Sequence, residues 1–198
     1  MGVINLNNAN FRRVFRDLPT LETERLVLKK ITVNNAEDMY TYASLDSVTR
    51  YLLWSPHLNI EDTRGYIEYL NLQYKKGNYA DWGINLNKEG TFIGTVGFAD
   101  FDFENNTGEV GYVLNPSYQG NGYMTEAVSA VLSVAFERIG LDKVILRIME
   151  ENRASIRLAL RIGFVLERIG DEPLNVKGVD HIIHYYAFTK EAYIKRKN

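Results

Sequence analysis

The sequence contains no cysteine, which removes disulfides, thiolate metal sites and cysteine nucleophiles. Histidine is scarce. His57, His181 and His184 are its only instances, and the last two share neither helical ligand spacing nor an adjacent acidic motif, so they read as strand residues and no metal is expected. Long apolar runs are missing too. The longest uncharged stretch, residues 110–125, is broken by Gly111, Asn115, Pro116, Gly120, Asn121 and Gly122, whereas a membrane span needs about 20 apolar residues. No excess of one charge exists either: 23 Lys and Arg against 25 Asp and Glu leave a formal net charge of -2. That balance does not build the phosphate-neutralising surface of a dedicated nucleic-acid binder, so neither direct nucleic-acid contact nor a membrane is expected. Residues 1–20 hold no apolar signal core, and Leu6 stands where a myristoylation signal needs Ser or Thr. They are expected to form an N-terminal arm, and the location expected is cytoplasmic.

What the chain does have is apolar mass. Its 198 residues are 45% hydrophobic and 12% aromatic, enough for one continuous core, and residues 21–198 read as a single α/β domain. Alternation at Leu26 and Leu28 predicts a first strand within LETERLVLKKI. Asn34-Asn35 opens a helix carrying Ala36, Met39, Tyr40 and Ala43, and a second helix runs from about Ile60 to Lys75. Residues 81–86, 91–98 and 108–114 read as an antiparallel meander joined by short turns. After Gly122 the period changes to helical as far as Ile139, with Gly140 as the stop. A strand over 143–149, a helix over 152–162 and strands over 164–169 and 181–188 complete the order β-α-α-β-β-β-α-β-α-β-β.

Chemistry concentrates in residues 108–139, where the strand EVGYVL passes through NPSYQGNG into an amphipathic helix. The first N–H groups of a helix lack intrahelical partners, the macrodipole adds about half a positive charge, and Gly120 and Gly122 permit close approach; a pyrophosphate suits such a site. A dinucleotide fingerprint would need glycine where Thr125 stands and no insertion such as Asn115 to Gln119, and a P-loop would need Gly-Lys-Ser/Thr after the glycines. An Asn-Gly turn ahead of a helix is the bland alternative.

Gln119-Gly120-Asn121-Gly122-Tyr123-Met124 resembles the acyl-CoA motif Gln/Arg-x-x-Gly-x-Gly/Ala of the GNAT acyltransferase superfamily, departing from it at Met124. Thr-Glu-Arg-Leu-x-Leu over 23–28, Gly-Tyr-x-Leu-x-Pro over 111–116, Gly-Tyr-Met-Thr-Glu-Ala over 122–127, and Asn-x-x-Ser with Gly-Phe over 152–164 resemble its RimJ/RimL branch of ribosomal-protein N-terminal acetyltransferases. The resemblance covers about residues 20–190. It implies a mixed, mostly antiparallel sheet splayed between its fourth and fifth strands, with flanking helices and the pantetheine arm of acetyl-CoA lying in the V. It also implies transfer of an acetyl group directly to a primary amine, foremost the α-amine of a ribosomal protein. A small amine such as a polyamine or an antibiotic, and a non-catalytic acyl-CoA-binding module, are the alternatives; the assembly stays open between monomer and homodimer.

Roles follow from the same resemblance. Glu109 is the candidate base and Ser155 the candidate donor to the CoA sulfur, with a solvent-facing strand residue and a first-turn cap as their plainer readings. Val113 and Leu114 backbone groups, the loop Gln119, Gly120, Asn121, Gly122, Tyr123, Met124 and Thr125, and Asn152 are expected to bind the cofactor. Tyr51, Trp54 and Trp82 are candidates for the acceptor pocket, or else core aromatics.

Overall fold

The computed structural model describes residues 6–78 and 81–197. Within the segment read as an arm, residues 6–16 form helix α1 (Leu6–Arg16), which sets Phe11, Val14 and Phe15 into the common core. The Phe11 ring lies 4.3 Å from that of Phe101, and Phe15 lies 5.9 Å from Trp82 and 5.8 Å from Phe98. Each such ring brings about 1.5–3 kcal/mol of burial free energy, so packing of this face holds the helix on the core. The fully buried Trp82 indole N–H also donates to the Pro19 carbonyl at 2.8 Å.

The first predicted strand is two, β1 (Leu21–Glu22) and β2 (Leu26–Lys30), folded against each other because Thr23 and Leu26 close a turn. Three helices follow: α2 (Ala36–Ala43), α3 (Asp46–Thr49) and α4 (Ile60–Lys76). Asn59 caps α4 by accepting from the N–H groups of Glu61 and Asp62, and Gly77 ends it with φ 67°. The meander is β3 (Asp81–Leu86), β4 (Phe92–Asp102) and β5 (Thr107–Leu114). Helix α5 (Tyr123–Ser133) continues through a π-helical stretch over Val134–Ile139 to Gly140. Then come β6 (Lys143–Met149), α6 (Arg153–Ile162), β7 (Val165–Ile169), a hairpin of β8 (Leu174–Val176) and β9 (Val179–His181), β10 (Ile183–Thr189) and α7 (Lys190–Lys197). The strand expected over 181–188 is thus divided: His181 pairs with Leu174 in the hairpin, while Ile183 pairs with Met149 in the main sheet.

Among the described residues eight strands form one sheet in the order β1-β2-β3-β4-β5-β6-β10-β7. Every neighbouring pair is antiparallel except β5 and β6, which run parallel for the three pairs Thr107↔Lys143, Gly108↔Val144 and Glu109↔Ile145 and then part. With β1 and β2 counted as one, this is the splay between fourth and fifth strands that the motifs imply. Helix α5 packs over β2 and β4, and α6 lies beside α5 and β6, so their N-termini meet at the open V. Among the described residues no helix is long and apolar enough to cross a membrane.

Candidate active site

Past Glu109 the β6-facing edge of β5 has no strand partner among the described residues, so its backbone is open to a ligand. The phase of the ladder decides which residues turn that way. Asn115 N–H donates to Ile93 at 2.8 Å, and the β4–β5 register runs unbroken from Gly94↔Leu114 to Gly97↔Gly111. Hydrogen-bonded and non-bonded pairs alternate in an antiparallel ladder, so Val113 directs its N–H toward Thr95 while Tyr112 and Leu114 direct theirs into the V. Both residues line the V, but of the two backbone N–H groups expected there, that of Leu114 is directed into it and that of Val113 toward β4.

A cavity of about 480 Å³ fills the V. Val113, Leu114, Gln119, Gly120 and Gly122 line it from the β5 side and the loop; Tyr123, Met124 and Thr125 come from the first turn of α5, and Asn152 and Ser155 from α6. Asn121 is absent from the lining, because its side-chain amide donates to Tyr118 and Gln119 carbonyls and its own carbonyl accepts from Arg25. Gly120 and Gly122 have φ of 81° and 80°, a left-handed turn that costs other residues strain. Among the described residues no side chain caps α5 at Gly122, and the Thr125 hydroxyl is buried without a partner. An open helix N-terminus with an orphaned hydroxyl fits a phosphate acceptor. Met124, the departure from the family motif, is buried in the core at 6% exposure.

An acidic residue in that first turn looks adverse, and the fold neutralises it. The Glu126 carboxylate accepts from Thr23 Oγ1 at 2.5 Å, from Arg25 N at 2.9 Å and from Arg25 Nε at 2.8 Å, with Arg25 Nη2 at 2.7 Å. Burial alone would raise the Glu126 carboxyl, but these bonds hold it below the usual carboxylate range. Arg25 also lies over the Tyr123 ring at 4.7 Å. The TERL and GYMTEA motifs are therefore two halves of one latch. Arg157 and Arg161, one turn apart on α6, add positive charge to the cavity wall.

Asn152 caps α6 by accepting from Ser155 N–H at 3.2 Å. The Ser155 hydroxyl lies 2.6 Å from the Tyr112 hydroxyl. Burial pushes the Tyr112 phenol up to about 12, with the serine hydrogen bond pulling the other way. Tyr112 carries no local sequence signal, because the partner of its hydroxyl lies on a helix 43 residues downstream.

A second cavity of about 350 Å³ lies between the sheet and the α2–α4 layer, walled by Met39, Tyr42, Trp54, Tyr66 and Leu70. Leu52, Tyr112 and Val113 line both cavities, so they form the partition. Trp54 is on the wall of this second cavity, Tyr51 lines the first, and Trp82 lines neither. Asp81, next to Trp82 but on the opposite face of β3, reaches the second cavity. His57 lines it as well, its Nδ1 2.8 Å from Thr63 Oγ1; burial lowers its pKa. Glu109 lines neither cavity: it sits at the apex of the V, 3.5 Å from Arg147, and burial raises its carboxyl against that arginine.

Known proteins place this arrangement in a class. Residues 25–165 match the acetyltransferase (GNAT) domain family, and the chain belongs to that family of N-acetyltransferases. It is 31% identical over 172 residues to the uncharacterized N-acetyltransferase YoaA of Bacillus subtilis, covering 87% of this chain and 97% of that one. It is 28% identical over 148 residues to the ribosomal-protein-serine acetyltransferase of Escherichia coli, covering 73% and 82%. The crystal structure of a GNAT-family acetyltransferase from Bacillus anthracis superposes with a TM-score of 0.77 at 26% identity, covering 87% of this chain and 99% of that one.

Proposed function

We propose that the chain transfers the acetyl group of acetyl-CoA, bound in the V, to a primary amine presented from the second cavity. The observation that carries this reading is the Ser155–Tyr112 hydroxyl pair at the partition between two cavities, one suited to phosphates and one to an organic body. The neutral amine nitrogen attacks the thioester carbon, a C–N bond forms, the C–S bond breaks, and the proton lost by nitrogen balances the charge on sulfur. Leu114 N–H is the donor aimed at the carbonyl oxygen, and Ser155 donates to the departing sulfur while accepting from Tyr112. A phenol near 12 does not yield its proton outright to a thiolate near 8.5, so Tyr112 acts by hydrogen-bond donation. Glu109, outside both walls, serves as a base through intervening water.

The acceptor reading is a polypeptide α-amine. It is supported by the name of the E. coli relative, and by an α-amine pKa of about 7.7–8.0, which leaves about a tenth neutral at pH 7 without a strong base. The confined second cavity favours a second reading, a small free amine. Incubation with acetyl-CoA and a panel of free-N-terminal peptides, α-blocked lysine peptides and small amines, scored by mass, separates them: acetylated α-amines support the first reading, and small amines alone the second.

A further inference from the structure

Among the described residues Asp81 is the one carboxylate on the second cavity wall, and the mechanism above does not use it. Its Oδ2 accepts from Tyr66 O–H at 2.9 Å, and Tyr74 O–H fixes its backbone carbonyl at 2.6 Å. Among the described residues no Lys, Arg or His pairs with it, although a carboxylate out of bulk water normally has a cationic partner. Tyr42 and Tyr66, both neutral phenols, are what the helices turn toward it. The register puts Asp81 opposite Gly97 and Gly97 opposite Gly111, and Asp81, Gly111 and Tyr112 all line the second cavity, so that cavity reaches from Asp81 on β3 across β4 to β5 at the partition. Two strand spacings make that span about 10 Å.

We propose that Asp81 and Tyr66 form an acceptor-recognition subsite that takes a cationic N–H-donating group at the far end of the acceptor, with an apolar spacer along the second cavity to the amine that is acetylated. This rests on the acetyl-transfer reading above. A spacer of about five carbons plus one hydrogen bond spans about 10 Å. A single carboxylate among Met39, Trp54, Tyr66 and Leu70 suits one charge, not the several of a tri- or tetra-amine.

Matched acceptors test it: 1,5-diaminopentane against pentylamine, and peptides starting with Lys against peptides starting with norleucine, in wild type, Asp81→Asn and Tyr66→Phe. The pairs distinguish a free amine from a polypeptide as the source of the group. We expect kcat/KM to favour the member with the second cationic group by about tenfold or more in wild type, the ratio to fall to near one in Asp81→Asn and part-way in Tyr66→Phe. A wild-type ratio near one, or a ratio unchanged in folded Asp81→Asn, overturns the subsite. If no amine is acetylated, the transfer reading fails by itself, and calorimetry of the same pairs on the CoA-loaded protein still decides the subsite by the same ratio.

Discussion

Removing Arg25 isolates one contribution to the phosphate site. In Arg25→Ala the Glu126 carboxylate keeps its place in the first turn of α5 but loses the guanidinium contacts at 2.7 and 2.8 Å that offset it. A phosphate on the N–H groups of Tyr123 to Thr125 would lie about 8 Å away, roughly one helical turn and a side chain. At an effective dielectric of about 20–80, each phosphate charge then meets about 0.5–2 kcal/mol of repulsion, and salt trims it because 8 Å is about one Debye length at physiological ionic strength. The expected outcome is an acetyl-CoA Kd raised about 2- to 30-fold at low salt, read by isothermal titration calorimetry, with the gap narrowing as salt is added. Glu126→Gln in the Arg25→Ala background removes the stranded charge and is expected to recover most of the loss. Equal affinity in Arg25→Ala and wild type at low salt would refute the electrostatic reasoning. Failure of the double variant to recover would assign the effect to the lost Arg25 to Asn121 carbonyl bond instead.

Ser155→Ala and Tyr112→Phe each remove a donor whose value is greatest when sulfur carries charge, about 1.5–3 kcal/mol or roughly 10- to 150-fold in kcat, with KM for acetyl-CoA little changed. Because they act as a unit, the double variant is expected to cost no more than the worse single one in stopped assays of thiol release. Gly94→Ala is expected to lose stability and cofactor affinity together in thermal melts and titrations, since its Cβ would lie 2.3 Å from the Val113 carbonyl. Gly111→Ala, whose Cβ would meet only Ala99 at 3.8 Å, should melt close to wild type. Burial pushes the Asp81 carboxyl up to about 6 against the Tyr66 hydrogen bond, so the folded protein retains a proton that the unfolded chain releases. Its contribution to stability therefore falls as pH rises from about 4 to 6, and Asp81→Asn is expected to be more stable than wild type by about 2–3 kcal/mol at pH 7 and not at pH 4, by urea unfolding.

The parts of the site that were legible are those written in one stretch of chain. Gln119 to Thr125 announces itself because glycines, a helix start and the strand before it are contiguous, and Asn152 with Ser155 stands at another helix start. Parts assembled across the sheet were not. Trp82 drew attention as an aromatic while its neighbour Asp81 faces the cavity, because adjacent strand residues point to opposite faces and the face could not be assigned before the packing of α1 was known. The same alternation separates Leu114 from Val113. Tyr112 carries no local signal, since only the approach of α6 to β5 gives its hydroxyl a partner. Helix α1 was hidden because its apolar residues, Phe11, Val14 and Phe15, are few and count only once Phe98, Phe101 and Trp82 are beside them. Glu126, which reads as adverse to an anion, makes sense only with Arg25 folded back across 101 residues.

The central claim is that the two cavities meet at Ser155 and Tyr112 to pass an acetyl group from thioester to amine. Following free thiol released from acetyl-CoA while titrating a mixed amine panel tests it most directly. Release that rises with amine, is matched mole for mole by acetylated amine, and falls at least about tenfold in Ser155→Ala is the predicted result. Tight acetyl-CoA binding with thiol release indifferent to every amine would contradict it and leave a protein that holds the cofactor without using it.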